Sequence, residues 1–203
     1  EASVQLIQFS QEGEHAHDDA VRHRGHGLGA GRALEDGGII LKDLRRDVAV
    51  LRLPLVGQVS PLVGAVLVKP DGSVETAYRG ELREGDHAEF TLIERKCRSE
   101  RLDGSVLFAT LEPCAPGSRH LPKLGCSERI VNARIAKVFI GIEDPDPTVD
   151  RKGIRYLEDN GIEVEMYPRD LQEEIREANM DFLKLALRRA EDAARAARAE
   201  VVG

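Results

Sequence analysis

A histidine, a carboxylate and two cysteines stand in an order that suits a metal-activated water: His87, Glu89, Cys114 and Cys126. One imidazole and two thiolates hold a zinc ion and leave a fourth position open, which separates catalytic zinc from closed structural zinc. Zinc brings the pKa of its water to about 7, so a nucleophile is available at neutral pH. Glu89, two residues from His87, can face the same cavity without being a ligand and carry protons there. Attack of a zinc-bound hydroxide on an amidine-like ring carbon, followed by loss of ammonia, is the reaction these parts suit. A competing reading is closed structural zinc with His120 as a fourth ligand, which leaves Glu89 without a role. Cys97 falls on the apolar side of its helical pattern and reads as packing.

These residues need elements to place them. Leu62 to Lys69 reads as a buried strand, Pro70-Asp71-Gly72 as a turn, and Val74 to Tyr78 as the returning strand. A helix is expected from near His87 to about Ser99, a strand over Val106–Leu111, a helix from about Cys126 to Ala133 and a strand over Lys137–Ile142. A helix near Val149–Asn160, stopped by Gly161, and a strand over Ile162–Tyr167 complete a crossover between parallel neighbours. One long helical pattern runs from Arg169 to Glu200. His87 and Cys126 thus fall at helix starts and Cys114 just beyond a strand, the carboxyl edge where open α/β sheets gather ligands.

The domain organisation follows from composition. Residues 1–38, with His15, His17, His23 and His26 among many glycines and acids, read as a weakly structured arm rather than an accessory metal tract. Residues 39–185 form the expected zinc-dependent domain, and residues 186–203 a charged helical extension. A hydrophobic fraction of 41% with 32% charged residues fits one globular domain with a solvated surface. The sequence has no apolar run long enough to span a bilayer and no signal-peptide layout, and a chain opening on Glu1 reads as a fragment or processed form. Three cysteines make no disulfide framework, which favours the reducing cytoplasm. A net charge of -7, 4% aromatics and no Trp disfavour a nucleic-acid partner and favour a small molecule. The loop residues Arg119, His120 and Lys123 are a basic set able to meet a phosphate.

The order H-x-E, then P-C, then C marks zinc-dependent base deaminases. On it the chain resembles the cytidine-deaminase superfamily, and more specifically the pyrimidine deaminase domain of bifunctional riboflavin-biosynthesis proteins. Ser60-Pro61 with Val63-Gly64-Ala65-Val66, His87-Ala88-Glu89, Thr110-Leu111-Glu112-Pro113-Cys114 and Ile142-Glu143-Asp144-Pro145-Asp146-Pro147 carry the resemblance. Gly153, Gly161-Ile162-Glu163-Val164 and Asn179 with Phe182-Leu183 extend it, so that it covers residues 59–185.

The resemblance implies a three-layer α/β/α cytidine-deaminase-like fold, its mixed five-stranded sheet having the last two strands parallel. It also implies Zn2+ on His87, Cys114 and Cys126, Glu89 as proton shuttle, base contact near Ala88, and a homo-oligomer, a dimer being expected. The implied substrate is a nucleotide-like aminopyrimidine. The alternatives are cytosine or adenine in free nucleotides or single strands, and a non-catalytic module of a larger protein. The chain departs from that family in three places. Ser60, a candidate substrate contact, precedes Pro61-Leu62 where the family has an asparagine between two prolines; the loop from Ala115 to Gly125 is longer; and the reductase domain that follows in that family is expected to be absent.

Overall fold

The computed structural model describes residues 60–119, 123–145 and 151–202. The arm expected over residues 1–38, the start of the expected domain, His120 and the beginning of the helix expected at Val149 lie outside them.

The sheet has five strands: β1 (Gly64–Val68), β2 (Val74–Tyr78), β3 (Val106–Leu111), β4 (Lys137–Ile142) and β5 (Glu163–Met166), in the order β2-β1-β3-β4-β5. β1 runs antiparallel to β2 and β3, while β3, β4 and β5 are mutually parallel. The expected parallel pairing of the last two strands is therefore present. Helices pack around this sheet: α1 (Ala88–Phe90, continued as a π-helix over Thr91–Lys96), α2 (Cys126–Asn132), α3 (Lys152–Asp159), α4 (Arg169–Ala178) and α5 (Met180–Val202).

Burial follows the strand patterns. All of β1 and β3 is buried, as central strands covered on both faces require. Leu67 and Leu107 are fully buried, each such side chain stabilising the fold by about 1.5–3 kcal/mol. Phe108 and Phe139 stack across β3 and β4 with ring centroids 4.7 Å apart. At the β5 edge apolar burial gives way to charge: Lys137 Nζ lies 2.8 Å from both Glu163 and Glu165. Charges there blunt an edge that could otherwise pair with another chain.

Two helices depart from the regular patterns expected of them. The helix after His87 widens into π geometry, with the Cys97 N–H donating to the Leu92 carbonyl. The pattern from Arg169 to Glu200 is two helices rather than one, broken at Asn179, whose φ of −105° and ψ of 15° leave the helical region. The Asn179 side chain turns away to bind the backbone of Leu62, a long-range contact that periodicity does not encode. α5 then runs across residue 186 without a break. Among the described residues, no helix is long and apolar enough to cross a membrane.

Candidate metal centre and its pocket

His87 is the residue before the first turn of α1, with φ −75° and ψ 153°, and its side chain caps no N–H of that turn. The imidazole points at the cysteines instead. Its Nδ1 lies 3.7 Å from Cys114 Sγ and 3.4 Å from Cys126 Sγ. These three ligand atoms lie within 4.8 Å of one another and can hold a metal ion. An imidazole with two thiols is a donor set that suits zinc, and no fourth protein ligand closes it among the described residues.

The long inter-cysteine loop is closed by backbone contacts. Ser127 donates to the Cys114 carbonyl from its N–H at 3.1 Å and from its hydroxyl at 3.0 Å. The Cys126 N–H donates to Cys114 Sγ at 3.2 Å, and the Gly125 N–H to the Glu128 carboxylate at 2.6 Å. Gly125 is required by close approach: a Cβ there would stand 2.5 Å from the Ala115 carbonyl oxygen and 2.8 Å from that of Cys114. Eleven intervening residues thus leave the two sulfurs as near as a short spacing would.

Electrostatics follow from burial and from this contact. Hydrogen bonding from the Cys126 thiol, aided by His87, holds Cys114 down to about 3. Cys126 is pushed up, first by that same bond and then by its burial. Glu89 is 2% exposed, and desolvation raises its pKa against the opposing pull of His87.

A pocket of about 90 Å³ opens onto His87, Glu89 and Cys114. Pro61 and Val63 wall it from the β1 side and Phe182 from the first turn of α5. Arg79, directly after β2, also lines it, as do Leu111, Glu112 and Asp144.

The other expected contacts distribute unevenly. Ala88 is fully buried beside the site. Ser60 and Lys123 do not line the pocket, although Pro61, next to Ser60, does; Lys123 is exposed. Arg119 is half-buried, and its charge is felt at Arg79. His120 lies outside the described residues. Arg79 escaped the sequence reading because an arginine after a hairpin strand carries no motif. Glu112 was visible only as part of a motif, without its role: it accepts N–H groups from Asp144 at 3.1 Å, Gly153 at 2.9 Å and Ile154 at 3.2 Å. Burial raises the Glu112 pKa, and those three donors oppose the rise.

Comparison with known proteins agrees with this geometry. Residues 56–142 match the cytidine and deoxycytidylate deaminase zinc-binding region. Over 131 residues the chain is 37% identical to riboflavin biosynthesis protein RibD of Bacillus amyloliquefaciens, covering 64% of this chain and 34% of that protein. It is 34% identical over 105 residues to the diaminohydroxyphosphoribosylamino-pyrimidine deaminase of Schizosaccharomyces pombe, covering 50% of this chain and 25% of that one. The chain thus spans a quarter to a third of the length of these relatives.

Among solved structures, the deaminase/reductase of Thermotoga maritima superposes with a TM-score of 0.58 at 29% identity, over 72% of this chain and 40% of that one. RibD of Acinetobacter baumannii gives 0.53 at 30%, over 64% and 34%. The chain therefore resembles the cytidine-deaminase superfamily in sequence and fold, and within it the deaminase domain of riboflavin-biosynthesis proteins.

Proposed function

We propose that this domain is a zinc-dependent hydrolytic deaminase of a nucleotide-like aminopyrimidine, with zinc on His87, Cys114 and Cys126. One observation carries the reading: a buried, non-ligand carboxylate, Glu89, lines the same pocket as His87 and Cys114, whose ligand atoms cluster with Cys126 Sγ within 4.8 Å. A zinc ion there supplies Lewis-acid activation of a water at neutral pH.

The chain's own residues do the rest. Glu89 accepts the proton of the attacking water and delivers it to the ring nitrogen as the new C–O bond forms. It then takes the remaining hydroxyl proton and passes it to the amino group, the C–N bond breaks, ammonia leaves and the ring carbonyl is made. Burial suits this exchange, because a raised pKa makes the carboxylate a better proton acceptor and brings its proton affinity nearer to the working pH. Pro61, Val63 and Phe182 supply apolar walls for a flat ring. Two of the similar proteins, from Schizosaccharomyces pombe and Thermotoga maritima, are named as deaminases of a phosphoribosylated aminopyrimidine, which supports the substrate class.

The test is an ammonia-release screen of the zinc-loaded protein against aminopyrimidine, cytosine, adenine and guanine nucleotides. Release from the phosphoribosylated aminopyrimidine is expected. Stoichiometric zinc with no release from any of the four contradicts the reading.

A further inference from the structure

The three ligand atoms of the metal centre come from three segments, and backbone bonds tie only two of these together. Hydrogen bonds from Ser127 and from the Cys126 N–H hold the start of α2 to Cys114. His87 has no such tie to α2. Its side chain caps no N–H, and among the described residues no backbone hydrogen bond joins α1 to α2. Side chains packed between the two helices must set its place relative to Cys126.

One side chain crosses that gap. Arg129 stands three residues after Cys126 on α2, and its guanidinium donates to the Glu94 carboxylate on the π-helical continuation of α1. The same guanidinium lies over the Phe90 ring, 4.8 Å from its centroid, and Phe90 stands three residues after His87. Helix residues three apart are neighbours on one face. The contact of Arg129 with Phe90 therefore lies one turn beyond the approach of Cys126 to His87, and what turns Arg129 toward α1 also turns Cys126 toward the imidazole. A single contact would leave the helices free to rotate, whereas Phe90 and Glu94 held together fix both rotation and height. A planar guanidinium can bond along its edge while stacking on its face; a compact ammonium offers no such plane. The Arg129 side chain is only 13% exposed. No other ion pair among the described residues joins two segments that carry ligand atoms. A largely buried pair adds little net stability over an apolar substitute, and its best-attested use is to fix register.

We propose that Arg129 is a positioning residue of the metal centre, which by gripping Phe90 and Glu94 together sets how closely Cys126 Sγ approaches His87. It is not itself a ligand. This role depends on zinc being held by His87, Cys114 and Cys126, as proposed above, and not on which ring is deaminated.

Cobalt substitution of the full chain tests it. At saturating metal the visible bands of cobalt report the geometry of its ligands, which a mere loss of stability does not move. Arg129→Met should shift those bands and weaken zinc, read by competition with a chelator, by about ten-fold or more. Glu94→Gln, at a more exposed position, should shift the bands in the same direction, and it carries the test if Arg129→Met does not fold. Arg129→Lys should fall between wild type and Arg129→Met, keeping the charge and losing the plane. Lys137→Met, which breaks the ion pairs at the β5 edge, controls for lost stability and should leave the spectrum unchanged. Wild-type bands and wild-type zinc affinity in Arg129→Met or, failing its folding, in Glu94→Gln overturn the positioning role while the zinc site stands. An equal shift in Lys137→Met overturns it too, because the spectrum then follows general loosening. A wild-type chain that takes up neither cobalt nor zinc removes the centre itself, and the positioning role falls with it.

Discussion

The Glu112 carboxylate accepts the Gly153 N–H at 2.9 Å, tying the end of β3 to the first turn of α3 immediately beside Cys114. With the Ile154 and Asp144 N–H groups also donating to it, one side chain organises the backbone under a metal ligand. Backbone N–H groups left buried without partners are costly, so this carboxylate acts as a structural counterpart of the pocket.

Glu112→Gln keeps one acceptor oxygen and puts an N–H2 where the Asp144 N–H now donates. Urea unfolding should show a loss of about 1–3 kcal/mol, the cost of an unmade buried bond. Zinc affinity should fall with it, because Cys114 lies two residues on.

Gly153→Ala tests the same junction by volume. A Cβ there would stand 1.9 Å from the Pro113 carbonyl oxygen, so α3 or the Pro113–Cys114 backbone must move. The expected destabilisation is about 1–3 kcal/mol, with weakened zinc retention on dialysis. Gly161→Ala makes the contrast: its φ of +79° imposes strain of about 1–2 kcal/mol, but nothing lies within 4 Å, so zinc retention should be unchanged.

Asn179→Ala should cost about 1–3 kcal/mol, because Asn179 Oδ1 accepts the Leu62 N–H at 2.7 Å and its amide donates to the carbonyls of Leu62 and Ile175. The contact joins the strand lead-in beside Pro61 to the start of α5, which carries Phe182. Both walls loosen together, so KM should rise while zinc content holds.

Tyr167 gives the pH dependence. It is 5% exposed, and burial alone raises its pKa well above the ordinary value. An acid with a raised folded-state pKa stabilises the fold fully below its unfolded pKa of about 10 and loses that contribution as pH rises beyond it. Stability measured from pH 9 to 11.5 should therefore fall in the wild type, and Tyr167→Phe should flatten that limb.

How much of this was legible in the sequence depended on the range of the contacts involved. The buried runs of β1, β3 and β4 and the order His87, Glu89, Cys114, Cys126 are local, and each has the position its pattern implies. The eleven-residue spacing concealed nothing, because Gly125 and Ser127 return the chain to Cys114. The break at Asn179 and the placing of Arg79 depend on partners distant in sequence, Leu62 and Val63 among them, and no periodicity reports those. The basic residues were visible as a charged loop, yet the guanidinium that enters the pocket comes from the hairpin.

The central claim is that Glu89 carries protons at a zinc site it does not ligate. Glu89→Gln, assayed for bound zinc and for ammonia release on the best substrate of the nucleotide screen, tests it most directly. One zinc per chain with release slowed by about 10²–10⁴-fold is expected. Full zinc with release at the wild-type rate would contradict it.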